Sequence, residues 1–238
     1  RDRSVSRGLG DVYKRQEEIC KKYWNNSGVR RYYIDRYFEK KEYDRVLQVL
    51  DESIELDKAY RGQVLEYNQK KKEIYRLQGN KSAYIEQLWK LVLEQSAGDL
   101  DIYKELKAQY SEKEWLIKRE ELFKKLPPNA HIDRLYKEEK LYDRLLAYVL
   151  KSSGLYAVQS YENVLKKEYP KQILSKYQGE VNKMASCTGN RKHYADLVAL
   201  LRRMKRIKGG SEIVETIVEE WKIKYRNRPA MMDELSKL

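Results

Sequence analysis

Residues Asn190–Leu238 read NRKHYADLVALLRRMKRIKGG and then SEIVETIVEEWKIKYRNRPAMMDELSKL. The apolar spacing predicts two amphipathic helices joined by Gly209-Gly210, followed by a helical stub that restarts at Pro229. At about 100° per residue, Tyr194, Leu197, Val198, Leu200, Leu201, Met204 and Ile207 gather on one side of the first helix. Arg191, Lys192, Arg202, Arg203 and Arg206 fall on the other side. Between Asn190 and Gly210 there are seven basic residues and one acidic, Asp196, a net +6. Downstream, Trp221, Tyr225, Met231, Met232 and Leu235, with Pro229 as the restart, are expected to seal the last apolar face as a structural closing unit.

The same helical period runs upstream. Tyr43, Val46, Leu47, Leu50 and Ile54 make one stripe; Tyr84, Ile85, Leu88, Trp89 and Val92 make another; Tyr142, Leu145, Leu146 and Val149 make a third. No segment alternates with period two, so no strand is predicted. Gly79-Asn80, Gly98-Asp99, Pro127-Pro128-Asn129, Ser153-Gly154, Pro170, Gly189-Asn190 and Gly209-Gly210 punctuate the stripes. Ser111-Glu112-Lys113-Glu114 fits a capping box, in which hydroxyl and carboxylate each satisfy a free backbone N–H of the first turn. The expectation is an all-α fold of roughly ten to twelve helices of about 10–20 residues, arranged as a solenoid of antiparallel, tetratricopeptide-like hairpins.

Internal similarity points the same way. Tyr37–Leu47 (YFEKKEYDRVL) resembles Tyr136–Leu146 (YKEEKLYDRLL) at an offset of 99 residues, and Gly79–Tyr84 (GNKSAY) resembles Gly189–Tyr194 (GNRKHY) at an offset of 110. Such offsets fit about three units of 33–37 residues, the length of tetratricopeptide-type repeats, although no strict register emerges.

Composition bounds the function. Of the 238 residues 41% are hydrophobic and 37% charged, the net charge is +13, and there are 21 tyrosines but two phenylalanines. The mean hydropathy is −0.88 and the isoelectric point about 9.4. No apolar run approaches the roughly 20 residues of a membrane span. Cys20 and Cys187 are too few for a disulfide framework, which suits a reducing compartment such as the cytoplasm. The basic balance admits an anionic partner.

Residues 1–16, RDRSVSRGLGDVYKRQ, have no helical period and no signal-peptide core. They resemble translated sequencing-adapter sequence of the kind found at the ends of metagenomic reading frames, and are set aside as a non-native leader. On that reading the chain is the tail of a longer protein; the alternative is a disordered basic arm. Without the leader the net charge falls from +13 to +10. Residues 17–238 are expected to form the helical repeat domain, with 190–238 as its closing unit.

The residue inventory points away from catalysis. His131 follows a double-proline turn and His193 sits at a helix start, neither beside a nucleophile–acid arrangement. There is no phosphate-binding G-x-G-x-x-G or GK[ST] loop. Glu138-Glu139 and Glu219-Glu220 stand among lysines at helical spacing, as solvated faces do. Structural zinc needs four ligands, usually in close pairs, and no C-x-C, C-x-x-C or C-x-H occurs. No enzyme, cofactor or small-molecule substrate is expected of this chain. The remaining signals are basic. The arginine row either meets an anionic partner, with steep salt dependence, or pairs with Glu212, Glu215, Glu219 and Glu220 of the next helix. Arg30-Arg31-Tyr32-Tyr33 with Arg36-Tyr37 is a weaker candidate for stacking and phosphate contact.

The closing stretch resembles the C-terminal end of bacterial SWIM zinc finger proteins. The residues that carry the likeness are Gly189–Tyr194 (GNRKHY), Arg202-Arg203-Met204, Glu220-Trp221, and Tyr225 through Leu235 (YRNRPAMMDEL), about the last 50 residues. The resemblance implies a non-enzymatic protein that binds other proteins or nucleic acid. It also implies a zinc motif, C-x-C with C-x-H, N-terminal to the helical region; no residue of this chain matches it. The function expected is therefore a helical-repeat scaffold for protein–protein interaction, with nucleic-acid binding through the 190–208 helix as the alternative.

Overall fold

A computed structural model describes residues 18, 20 and 22–238, and the leader at 1–16 lies outside them. Among the described residues the chain is entirely helical, with thirteen α-helices and no strand. These are α1 (Ser27–Glu39), α2 (Tyr43–Leu56), α3 (Arg61–Leu77), α4 (Lys81–Lys90), α5 (Leu100–Lys107), α6 (Glu112–Lys125), α7 (Ile132–Glu138), α8 (Tyr142–Lys151), α9 (Tyr156–Leu165), α10 (Pro170–Ser186), α11 (Arg191–Lys205), α12 (Gly210–Lys224) and α13 (Pro229–Leu235). A single π-helical turn, Leu91–Gln95, extends α4. Three helices are shorter than expected: α5, α7 and α13 have 8, 7 and 7 residues. No helix is long and apolar enough to cross a membrane.

The residues form two compact units, one ending at Leu135 and one running from Tyr136 to Leu238. In the first, α1 packs on α2, α2 on α3, α3 on α4, and α4 on α5. Its cores gather Ile34, Tyr37, Val46, Leu50, Tyr67 and Ile74, and separately Tyr84, Leu88, Val92, Tyr103, Trp115 and Leu122. In the second, neighbours from α8 to α12 pack in sequence, while α13 returns to α11. There the stripe of α11 is buried as expected, together with Trp221, Tyr225, Met231 and Leu235. Met232 is half-buried against this core and Pro229 opens α13 at its exposed start.

The punctuation acts through recognisable local chemistry. Asn80 and Asn190 cap α4 and α11, their side chains accepting from the Ala83 and His193 amides at 3.2 and 3.0 Å. Ser111 and Glu114 form the capping box of α6. Gly209 adopts φ +82°, and a Cβ on Gly210 would lie 1.9 Å from the Met204 carbonyl oxygen, so the α11–α12 turn requires this glycine pair.

Two stops carry no glycine. Lys41 and Lys140 take φ of 60° and 55°. Behind each, the following amide bonds the carbonyl of Tyr37 or Tyr136, at 3.0 and 2.9 Å, and the lysine amide bonds that of Phe38 or Lys137, at 2.9 and 3.2 Å. Both are Schellman turns. They occupy equivalent positions in the two sequences related by the offset of 99. At the offset of 110, Tyr67 and Tyr177 are both buried and both donate a hydroxyl at 2.7 Å to a carboxylate of the preceding helical segment, Asp57 and Glu162. The growth from 99 to 110 falls where the second unit carries α9, a helix with no counterpart between α2 and α3. The two sequence offsets therefore flank a helix that the second unit has and the first lacks.

Of the N-terminal Arg/Tyr cluster, Arg30 and Tyr37 are buried, a correction to their reading as phosphate-contacting or stacking residues, while Arg31 and Tyr32 are exposed. Arg30 is 0% exposed and donates to Ser53 Oγ at 3.1 Å, to the Trp24 carbonyl at 2.6 Å and to Asp57 at 2.5 Å. Arg31 pairs with Glu66, Arg36 donates to the Tyr32 hydroxyl, and Tyr37 is in the core. A cation without solvent must be paired, and these groups pair it.

Candidate anion-binding cleft

The basic row of α11 divides into two ends with different surroundings. At its start, Arg191 reaches α13 and forms ion pairs with Asp233 and Glu234, the Glu234 contact at 3.2 Å. Lys192 stays exposed and makes no ion pair among the described residues. Asp196 and Ala199 occupy the middle of the exposed face. At the far end Arg202, Arg203 and Arg206 come together with Glu162, Asn163 and Lys166 of α9 and its C-cap, around a cleft of about 460 Å³ floored in part by Ala199.

Apolar packing places these groups. Leu197, Leu200, Leu201 and Met204 are drawn into the core, each with about 1.5–3 kcal/mol of transfer free energy, and the intervening arginines are turned outward. Burial of Val158, Tyr161 and Leu165 likewise aims Asn163 and Lys166 at the cleft. Arg202, Arg203 and Arg206 lie in or just past the last turn of α11, and Lys166 just past that of α9, where the helix dipole favours cations.

One carboxylate lies beneath them. Glu162 is buried and accepts from the Tyr177 hydroxyl at 2.7 Å and from Arg203 Nε at 2.5 Å, with Lys166 Nζ at 3.4 Å. Arg203 also donates to the Gln159 carbonyl at 3.0 Å. Burial acts to raise the Glu162 carboxyl, but the Tyr177 and Arg203 bonds outweigh it and hold it below the ordinary carboxylate range. Burial and the same carboxylate push the Tyr177 hydroxyl well up. Arg203 is thus neutralised locally. Arg202 donates only to the Lys237 carbonyl, at 2.6 Å, and the Arg206 guanidinium has no protein acceptor among the described residues. Two guanidinium groups face the opening beside the Lys166 amine, which shares Glu162 with Arg203, an arrangement suited to carboxylate or phosphate.

The alternative pairing expected for the row does not form. Among the described residues, Glu212, Glu215, Glu219 and Glu220 are exposed and make no ion pair with α11. In a helical hairpin the two apolar faces meet, so the charged faces of α11 and α12 point apart. The acids that engage α11 come instead from α9 and α13.

The closing unit works through polar contacts the sequence left unspecified. Trp221 Nε1 donates to Asn182 at 2.8 Å. Arg228 donates to the Ala185 and Cys187 carbonyls at 2.7 and 3.2 Å, satisfying the open end of α10, and stacks on Tyr225 at 4.4 Å. Glu162 and Arg228 were not singled out beforehand; a glutamate among apolar α9 residues was the available signal for the first. His193 bonds the Met184 carbonyl at 3.0 Å, a packing role. Comparison with protein-family models finds no match for this chain, and comparison with the curated proteins finds none either.

Proposed function

We propose that the chain is a non-enzymatic helical-repeat scaffold of tetratricopeptide-like hairpins that binds an acidic segment of a protein partner in the cleft between α9 and α11. One observation carries this reading: Arg202 and Arg206 converge on an opening whose one lining carboxylate among the described residues, Glu162, already serves Arg203, Tyr177 and Lys166. An acidic protein segment suits it better than nucleic acid for two reasons. No aromatic ring lines the cleft to stack a base. Arg202 and Arg206 also span only about 6 Å along the helix axis, whereas nucleic-acid grips spread over many phosphates. The sequential packing of helices within each unit, and the paired Schellman turns, support the repeat architecture.

Titration of a labelled glutamate-rich helical peptide tests this. Binding that weakens with salt and is lost in R202E/R206E supports it. Absence of binding overturns it, and preference for a labelled DNA or RNA oligonucleotide transfers the cleft to the nucleic-acid reading. The family reading, a C-terminal helical region of a SWIM zinc finger-like protein, rests on the closing stretch. A C-x-C and C-x-H pair encoded upstream of Glu17 would support it, and a reading frame without one would remove it.

A further inference from the structure

We infer that the acidic segment which occupies the cleft is α12 of a second copy of this chain. The inference rests on the cleft reading above and names its partner. On α12, Glu212, Glu215, Glu219 and Glu220 lie within an arc of about 140°. That arc is opposite Gly210, Val214, Ile217 and Trp221, which are buried. The four glutamates are exposed, and among the described residues none has an ion-pair partner; even Lys205 and Lys222, which share a groove with Glu215 and Glu219, form no pair with them. Ile223 stands on the same face and is 77% exposed. The face is an acidic ridge ending in an apolar knob.

The complementary surface is the α9–α11 cleft, with Arg202, Arg206 and Lys166 around the small Ala199. Within one chain the two surfaces do not meet: Arg202 and Arg206 line the α9 side of α11, whereas Glu215 and Glu219 line a separate groove on its other side, toward Lys205. Between copies they can. Four uncompensated carboxylates and the two outward arginines, with the Glu162-bound Lys166 beside them, would then meet over one helix length. The two patches differ, so the contact is heterologous: the assembly grows with concentration, as an open chain or a closed ring. Exposed charges interact across a Debye length of about 10 Å at 0.1 M salt and about 3 Å at 1 M, so salt disperses the assembly.

Sedimentation velocity on the full chain tests this. The wild type is expected to sediment as a mixture heavier than the 28.6 kDa monomer, shifting with concentration and returning to monomer in high salt. R202A/R206A and E215Q/E219Q, all exposed positions, should each remain monomeric alone while melting close to the wild type. Mixed in equal amounts, they keep one intact face each and should form a 1:1 dimer and nothing larger. A wild type that is monomeric throughout, or association that either variant leaves intact, overturns the inference. If the wild type is monomeric yet binds the glutamate-rich peptide through Arg202 and Arg206, only the self-docking falls; if the peptide also fails, the cleft reading falls with it.

Discussion

Replacing Glu162 with glutamine should lower stability and tighten anion binding at once. The carboxylate accepts two charge-assisted bonds, from Tyr177 at 2.7 Å and Arg203 at 2.5 Å, in a site closed to solvent. An amide keeps the shape but loses the charge: the Tyr177 bond falls from the charge-assisted to the neutral range, and the Arg203 bond loses its ion-pair component, about 1 kcal/mol apiece. The expected loss is about 2 kcal/mol, or about 4–8 °C in the melting temperature of a cooperative unit of this size. The folded-state pKa of Glu162 is depressed below its ordinary 4.5. Its contribution is therefore fully present above the unfolded value and is lost as pH falls through the folded one. The gap between wild type and E162Q, measured by circular dichroism melts, should be full at pH 7 and close below about pH 4.5. The same change leaves Arg203 uncompensated beside the cleft, which should strengthen binding of a glutamate-rich peptide roughly threefold, the effect of one added charge in high dielectric. Equal melting temperatures at pH 7, or a gap that does not narrow as the pH is lowered below about 4.5, would refute the account of Glu162 as a buried anchor.

Deleting Pro229–Leu238 removes the burial of Met231 and Leu235 and the acidic partners of Arg191. About 4 kcal/mol should be lost, seen as a lower melting temperature; an unchanged one would end the closing-unit idea. Lys41 and Lys140 hold left-handed backbone at exposed positions, which costs a side-chain-bearing residue about 1–2 kcal/mol. Lys41→Gly and Lys140→Gly should each raise the urea midpoint by an amount equivalent to about 0.5–1 kcal/mol after glycine's unfolded-state entropy is counted. A lowered midpoint in either would show that the lysine side chain contributes more than its backbone costs.

Local rules explain what could be read in advance. The apolar stripes of α2, α4, α8 and α11 are periodic in the chain itself, and Asn80, Asn190 and the Ser111–Glu114 box announce helix starts through side chains that bond their own backbone. The turns at Lys41 and Lys140 were missed because the left-handed conformation is normally signalled by glycine or asparagine. The two offsets, 99 and 110, differ across α9 because similarity by offset assumes equal spacing between helices, and α9 has no counterpart between α2 and α3.

The arginine row shows where sequence stops deciding. Periodicity alone established that Arg202, Arg203 and Arg206 share a face opposite the leucines of α11, since a helix's angular spacing is a property of the chain. What that face meets is set by how the hairpins pack. Burying the apolar sides of α11 and α12 against each other turned Glu212, Glu215, Glu219 and Glu220 away from it. The fold brought Glu162 under Arg203 and Asp233 and Glu234 onto Arg191, leaving Arg202, Arg206 and Lys166 facing outward. Helical faces follow from local geometry, whereas charge partners depend on contacts between residues as distant in sequence as Arg191 and Glu234, which only tertiary packing selects.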